Sequence, residues 1–308
     1  MRKKLIIAYI LLLLNNLCYA GKIYSKAFGN KHDKPVIFLH GGPGNSSVYF
    51  EATTAQKLAD QGFYVIIYDR RGDGRSVDKN AKMNFQEAIQ DLADIYKIYD
   101  LKKANLIAFS FGGLVTAQFA QKFPEKVKSV TLVSALINQQ QSYDNILANV
   151  LAIYKKQNDS IRVKQIAEIE NMDKNSLEYR TACFKHASEN GFFKLASPNA
   201  LARQIYATYD TNPLIQNYIK NENAVPTFWK NEKLKNIDIQ PIIKDLKKAG
   251  IKIFGLYGKQ DGLYSQKQIW DLERIAGKGH IKYLENCAHT LFIDQQAEFL
   301  SSCKSWID

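Results

Sequence analysis

Apolar residues along this chain fall into two kinds of run. Short, mainly apolar stretches stand at Tyr64 to Tyr68, Ala104 to Phe109, Val127 to Ser134, Ile251 to Tyr257 and Ile281 to Leu284, and the run Pro35 to Leu39 shows no alternation with polar residues at all. That is the signature of strands buried on both faces. Ile23 to Phe28 predicts an edge strand, followed by a turn over Gly29 to Lys34. Between the runs the apolar positions recur every three or four residues, as on one face of a helix. Ala52 to Gln61 is one such segment, closed by Gly62. A second carries Phe85, Ile89, Leu92, Ile95, Tyr96 and Tyr99 behind the capping-box pattern Asn84-Phe85-Gln86-Glu87. A third runs from Ser110 to Pro124, a fourth spans Pro241 to Ala249, and a fifth opens on Ser265-Gln266-Lys267-Gln268 and closes at Gly277. The last places Phe299, Leu300, Cys303, Trp306 and Ile307 on one face. Strand and helix in alternation predict an α/β fold, a mostly parallel sheet with helices on both faces.

The alternation stops between Leu136 and Gln240. Helical patterns there cover Asn145 to Tyr154, Ser160 to Met172, Ser176 to Asn190, Pro198 to Tyr209 and Pro213 to Asn221, with no convincing strand between them. The expected organisation is a core of residues 21–135 and 241–308 with a helical cap, 136–240, inserted between two strands. Residues 1–20 read differently: Arg2, Lys3 and Lys4 precede the apolar run Leu5 to Leu14, and small residues stand at Cys18 and Ala20. This is the pattern of a cleaved signal peptide, predicting export to the periplasm or beyond, with no membrane anchor left after cleavage.

Composition narrows the class. At 308 residues and 46% apolar content the chain can bury a large core, and 12% aromatics argue against disorder. The formal charge is +12, and removing the three basic residues of the leader lowers it to +9. The lysines are scattered, with no basic run or aromatic-interleaved stripe, so nucleic acid is not an expected partner. Cys183, Cys287 and Cys303 remain after cleavage in no metal-binding spacing. A Cys287–Cys303 disulfide and buried free thiols are both open. No pattern asks for a metal or an organic cofactor.

The candidate chemistry centres on Ala104-Asn-Leu-Ile-Ala-Phe-Ser-Phe-Gly-Gly113, a strand, a sharp turn and a helix with the Ser110 hydroxyl at the apex. It resembles the nucleophile elbow G-x-S-x-G with Ala108 in place of the first glycine. A serine hydroxyl needs a base, and the base needs orienting. Both partners belong at the carboxyl ends of the parallel strands, where the connecting loops gather. Of five histidines, His32 precedes a strand, His186 lies in a helix, His280 begins a strand and His40 sits inside a glycine turn. His289 alone lies in a loop just after a strand. Asp261 occupies the equivalent loop after Ile251 to Tyr257, whereas Asp271 is mid-helix and Asp294 has the look of an N-cap.

With these residues in place the chain resembles an α/β-hydrolase and, within that fold, the proline iminopeptidase family of serine aminopeptidases. His40-Gly41-Gly42-Pro43-Gly44 resembles that family's HGGPG loop, and Asp69 to Ser76 its D-x-R-G-x-G-x-S segment. The resemblance implies Ser110 as nucleophile, His289 as general base then acid, Asp261 as its orienting partner, and backbone N–H groups of Gly42 and Phe111 as an oxyanion hole. Phe111 stands where the family often has tryptophan. The family also implies acidic cap residues that bind the substrate's free α-amine; Glu168, Glu170, Glu178, Glu189, Glu222 and Glu232 are available, with Trp229-Lys230-Asn231-Glu232 the most suggestive. The implied partner is a short peptide. A carboxylesterase or lactonase uses the same machinery, and a non-catalytic hydrolase-fold binding protein would be expected to lack one of the three groups. The oligomeric state is not specified by any pattern.

Overall fold

The computed structural model describes residues 23–218 and 220–307, and the leader expected at 1–20 lies outside them. Seven strands form one sheet: β1 (Ser25–Phe28), β2 (Lys34–Leu39), β3 (Phe63–Tyr68), β4 (Ala104–Phe109), β5 (Val127–Val133), β6 (Lys252–Gly258) and β7 (Ile281–Leu284). They lie in the order β1-β3-β2-β4-β5-β6-β7. Only the β1–β3 pair is antiparallel. The middle of the sheet is unalternating because both faces are covered: Ile37, Leu39, Ile66, Leu106 and Leu132 pack into one core, and Val36, Phe38, Val65, Ile107 and Leu256 into the other.

Helices follow the strands. α1 is one helical stretch, Val48–Phe50, a π-helical turn Glu51–Ala55 and Gln56–Ala59, so it starts four residues before the expected Ala52. α2 (Phe85–Ile98) follows β3, and α3 (Gly112–Lys122) follows β4. Between β5 and β6 the helices are α4 (Gln139–Lys156), α5 (Ser160–Glu170), α6 (Leu177–Glu189), α7 (Ala200–Ala207), α8 (Pro213–Gln216) and α9 (Ala224–Asn231). α10 (Gln240–Lys248), α11 (Gln266–Ala276), α12 (Leu291–Asp294) and α13 (Gln296–Trp306) complete the chain. The Ser265 box forms as expected, Gln268 N–H donating to Ser265 Oγ (3.2 Å) and Ser265 N–H to Gln268 Oε1 (2.9 Å).

At Asn84 the box is displaced. Asn84 Oδ1 accepts from Glu87 N–H (2.9 Å), but Glu87 reaches past the cap to Met83 N–H (2.8 Å), and Phe85 N–H donates to Glu232 Oε2 (2.8 Å). α4 begins six residues before the expected Asn145, because Asn138 caps a polar first turn that carries no apolar periodicity. α9 was not expected, Pro226 standing inside it; a proline in the first turn of a helix removes no internal hydrogen bond. Cys183, Cys287 and Cys303 are all buried free thiols.

Candidate active site

Three strand ends at one edge of the parallel sheet, those of β4, β6 and β7, carry the chemistry. β4 delivers Ser110, whose φ of 52° puts a non-glycine residue in the left-handed region. Such a residue is strained unless its surroundings over-determine it. Here Ser110 N–H is fixed to Val133 O (3.1 Å), and its carbonyl accepts from Gly113 N–H (3.0 Å) and Leu136 N–H (3.1 Å). Gly112 is required by packing: a Cβ there would sit 2.6 Å from Leu39 O. The departure at Ala108 costs the turn nothing, since its methyl is fully buried in the core beside Leu39.

β6 delivers Asp261 and β7 delivers His289, and the two loops are pressed together. A Cβ on Gly258 would lie 2.2 Å from Cys287 O. Gln260 and Cys287 exchange hydrogen bonds, N–H to O at 2.9 Å and N–H to Oε1 at 3.0 Å. The result is a continuous relay. His289 Nδ1 lies 2.8 Å from Asp261 Oδ2, and His289 Nε2 lies 3.0 Å from Ser110 Oγ. A carboxylate oxygen only accepts, so the imidazole proton sits on Nδ1 and Nε2 is left to accept from the serine hydroxyl. Asp261 is itself held by Leu263 N–H on Oδ1 (3.1 Å), and the imidazole is walled by Phe109 and Phe193.

Asp294 is not the expected N-cap. It ends α12, fully buried, and turns back onto the histidine loop, where Oδ2 accepts from Ala288 N–H (2.9 Å) and Oδ1 from Tyr206 O–H (2.7 Å).

The glycine loop after β2 is shaped by the segment after β3. Arg70 donates to His40 O through Nη1 (2.6 Å) and to Gly41 O through Nη2 (2.5 Å), while Asp73 pairs with Arg70 (3.1 Å) and accepts from Gly44 N–H (2.8 Å). Arg70 N–H donates to His40 Nε2 (3.0 Å), so His40 carries its proton on Nδ1, 2.8 Å from Gly41 O. Burial and the adjacent Arg70 guanidinium keep His40 neutral, well below the usual histidine range. It is a structural residue, as its place in the turn suggested. Gly42, with φ of 93°, has no room for a side chain, because a Cβ would meet Asn45 N at 2.8 Å. Among the described residues, no backbone or side-chain acceptor takes the N–H of Gly42 or Phe111.

Two chambers of about 690 Å³ each meet at Phe109, Phe193 and His289. The first holds Gly42, Ser110, Phe111, Tyr143, Arg180 and Trp229. The second is lined chiefly by aromatic rings, among them Tyr49, Tyr206 and Tyr209. Of the six glutamates considered for amine binding, Glu222 alone lines the first chamber; it is exposed and paired with Lys220 (3.0 Å). Glu232 is spent on Phe85 N–H and Leu234 N–H, so its role is to anchor α2. The residue that sequence reasoning missed is Arg180. Its signal was present: with Cys183, Phe184 and Ala187 it occupies positions i, i+3, i+4 and i+7, a charge on the inward stripe of α6. No group of side chains that would hold a metal ion occurs among the described residues.

The family model of the alpha/beta hydrolase fold matches residues 34–296, and the chain belongs to that family. Within it the chain is similar to curated proline iminopeptidases. It is 27% identical to a proline iminopeptidase of Clostridium botulinum over 294 residues, covering 93% of each. Its fold is shared with a proline iminopeptidase-related protein of Thermus thermophilus (TM-score 0.66, 19% identity, 94% of this chain and 96% of that one). It is shared also with a carboxylesterase of the archaeon Nitrososphaera gargenis (TM-score 0.60, 17% identity, 92% of this chain and 93% of that one).

Proposed function

We propose that the chain is a serine acyl hydrolase of the prolyl aminopeptidase kind, releasing N-terminal residues from short peptides through an acyl-enzyme. The observation that carries the hydrolase reading is the hydrogen-bond relay from Ser110 through His289 to Asp261. In this reading His289 Nε2 takes the hydroxyl proton as Ser110 Oγ attacks the carbonyl carbon, and Asp261 steadies the imidazolium that forms. The carbonyl oxygen, now an anion, lies against the N–H groups of Gly42 and Phe111, each such donor being worth about 100- to 1,000-fold in rate. His289 then gives the proton to the departing amine, and a water repeats the sequence on the acyl-enzyme to free the acid and regenerate Ser110.

The peptide substrate is supported by the HGGPG loop at 40–44 and by the Clostridium relative. A second reading, ester hydrolysis, draws on the chamber itself, whose single carboxylate, Glu222, is exposed and paired rather than buried to receive an ammonium. Proline arylamide, its N-blocked form and a short acyl ester separate the two. Cleavage confined to the free-amine arylamide supports the aminopeptidase; cleavage of the blocked form or of the ester alone supports the esterase. Ser110→Ala is expected to fold as the parent does and to lose activity by on the order of a million-fold. Full activity in that variant, or no labelling of Ser110 by a fluorophosphonate, ends the hydrolase reading. Action outside the cytoplasm belongs to the same proposal and rests on the leader pattern of residues 1–20.

A further inference from the structure

The chamber beside Ser110 contains a cation that has no counter-ion among the described residues. Arg180 projects from α6, is 2% exposed, and lies over Trp229 with its guanidinium carbon 3.6 Å from the ring centre. Tyr143 stands 5.9 Å away on the same cation. These rings attract the flat face of the guanidinium. They leave its edge unserved: Nε, Nη1 and Nη2 are all without a hydrogen-bond partner among the described residues. A buried charge is ordinarily paired, because desolvation without a counter-ion is costly. The other charges of the chamber are engaged at its rim, Lys185 with Glu189 (3.9 Å) and Glu222 with Lys220 (3.0 Å).

We propose that Arg180 receives a carboxylate of the substrate, so that the molecules cleaved at Ser110 are short amides or esters bearing a free acid group. The inference rests on Ser110 being the nucleophile. A guanidinium offers two parallel N–H bonds that match a carboxylate. One guanidinium among Leu136, Tyr143, Phe184 and Trp229 suits a single anion with an apolar body. The acid has two chemical sources: the C-terminus of a dipeptide whose first residue is released, or the free end of a dicarboxylic half-ester.

Binding is measured by calorimetry on the Ser110→Ala protein with 4-phenylbutyrate and with 4-phenylbutyramide, which differs only in lacking the charge. The acid is expected to bind about 10- to 100-fold tighter, the range of a hydrogen-bonded charge. Adding Arg180→Met brings the ratio close to one. That variant is expected to keep or raise its melting temperature, since it removes an unpaired buried charge. A purely packing role predicts a lower melting temperature with an unchanged acid-to-amide ratio, and that result overturns the proposal. So does acid bound no tighter than amide, including no detectable binding of either. Turnover by the wild-type chain then separates the sources: prolyl-glycine against prolyl-glycinamide, and monomethyl glutarate against methyl butyrate. A preference for the acid in the first pair assigns the peptide C-terminus and in the second the half-ester, while indifference in both overturns the proposal. Failure of fluorophosphonate labelling at Ser110 counts against the hydrolase reading alone, because the calorimetry does not use that hydroxyl.

Discussion

Single residues at this site do work that their types do not announce. Asp294 supports the imidazole indirectly, by holding Ala288 N–H and Tyr206 O–H on its two oxygens. Asp294→Ala orphans both donors, each at a cost on the order of 1–3 kcal/mol. We expect a melting temperature several degrees lower and a reduced kcat with little change in KM, read by calorimetry and steady-state kinetics. Asp73 makes a pH prediction. Burial pushes its carboxyl up to about 6, against the pull of Arg70 and Gly44 N–H. A carboxyl that is raised on folding holds a proton that the unfolded chain has released, so its contribution to stability is complete below about pH 4. That contribution is lost as pH rises through about 6. Asp91, also raised to about 6, adds to the same slope. Urea denaturation at pH 4, 5, 6 and 7 is expected to show a shallower decline for Asp73→Asn than for the parent; an equal slope refutes the assignment.

Elements that carry their own signals were legible. The strands announced themselves because both faces of the sheet are buried, and β7 matches its expected span, Ile281–Leu284. The helices of the 136–240 stretch were harder, for identifiable reasons. α4 starts on Gln139-Gln140-Gln141, held by a side-chain cap that leaves no periodicity, and α9 contains a proline. Glu87 illustrates a local pattern redirected by the tertiary structure: Glu232 from beyond α9 reaches Phe85 N–H, and Glu87 serves Met83 instead. The contact between the β6 and β7 loops could not be read, since it depends on two backbones meeting. Gly258→Ala tests it. With 2.2 Å to Cys287 O and 2.6 Å to Ala288 O, the loops must part, and a displacement near 1 Å costs a reactive geometry about 100-fold in rate. Wild-type kcat/KM in Gly258→Ala would show that the loops are not coupled.

Over the whole molecule, the meeting of Ser110, Asp261 and His289 was legible because fold logic confines reactive loops to one sheet edge. What could not be read was everything that depends on which helix faces the chamber. Six glutamates were candidates in the sequence, with Glu232 the most suggestive, and the fold sends that one to anchor α2 and leaves Glu222 at the rim. It turns Arg180 inward, a charge whose only mark in the sequence is its place on the apolar stripe of α6.

The fusion of the β6 and β7 loops through Gly258, Gln260 and Cys287 has a consequence for how such a chain diversifies. Acid and imidazole ride on loops fastened to each other, with no hydrogen bond from those loops to α6 or α9 among the described residues. Drift in those helices can therefore alter which molecule is admitted while the bond-breaking apparatus stays intact, a division of labour that lets appetite evolve faster than bite.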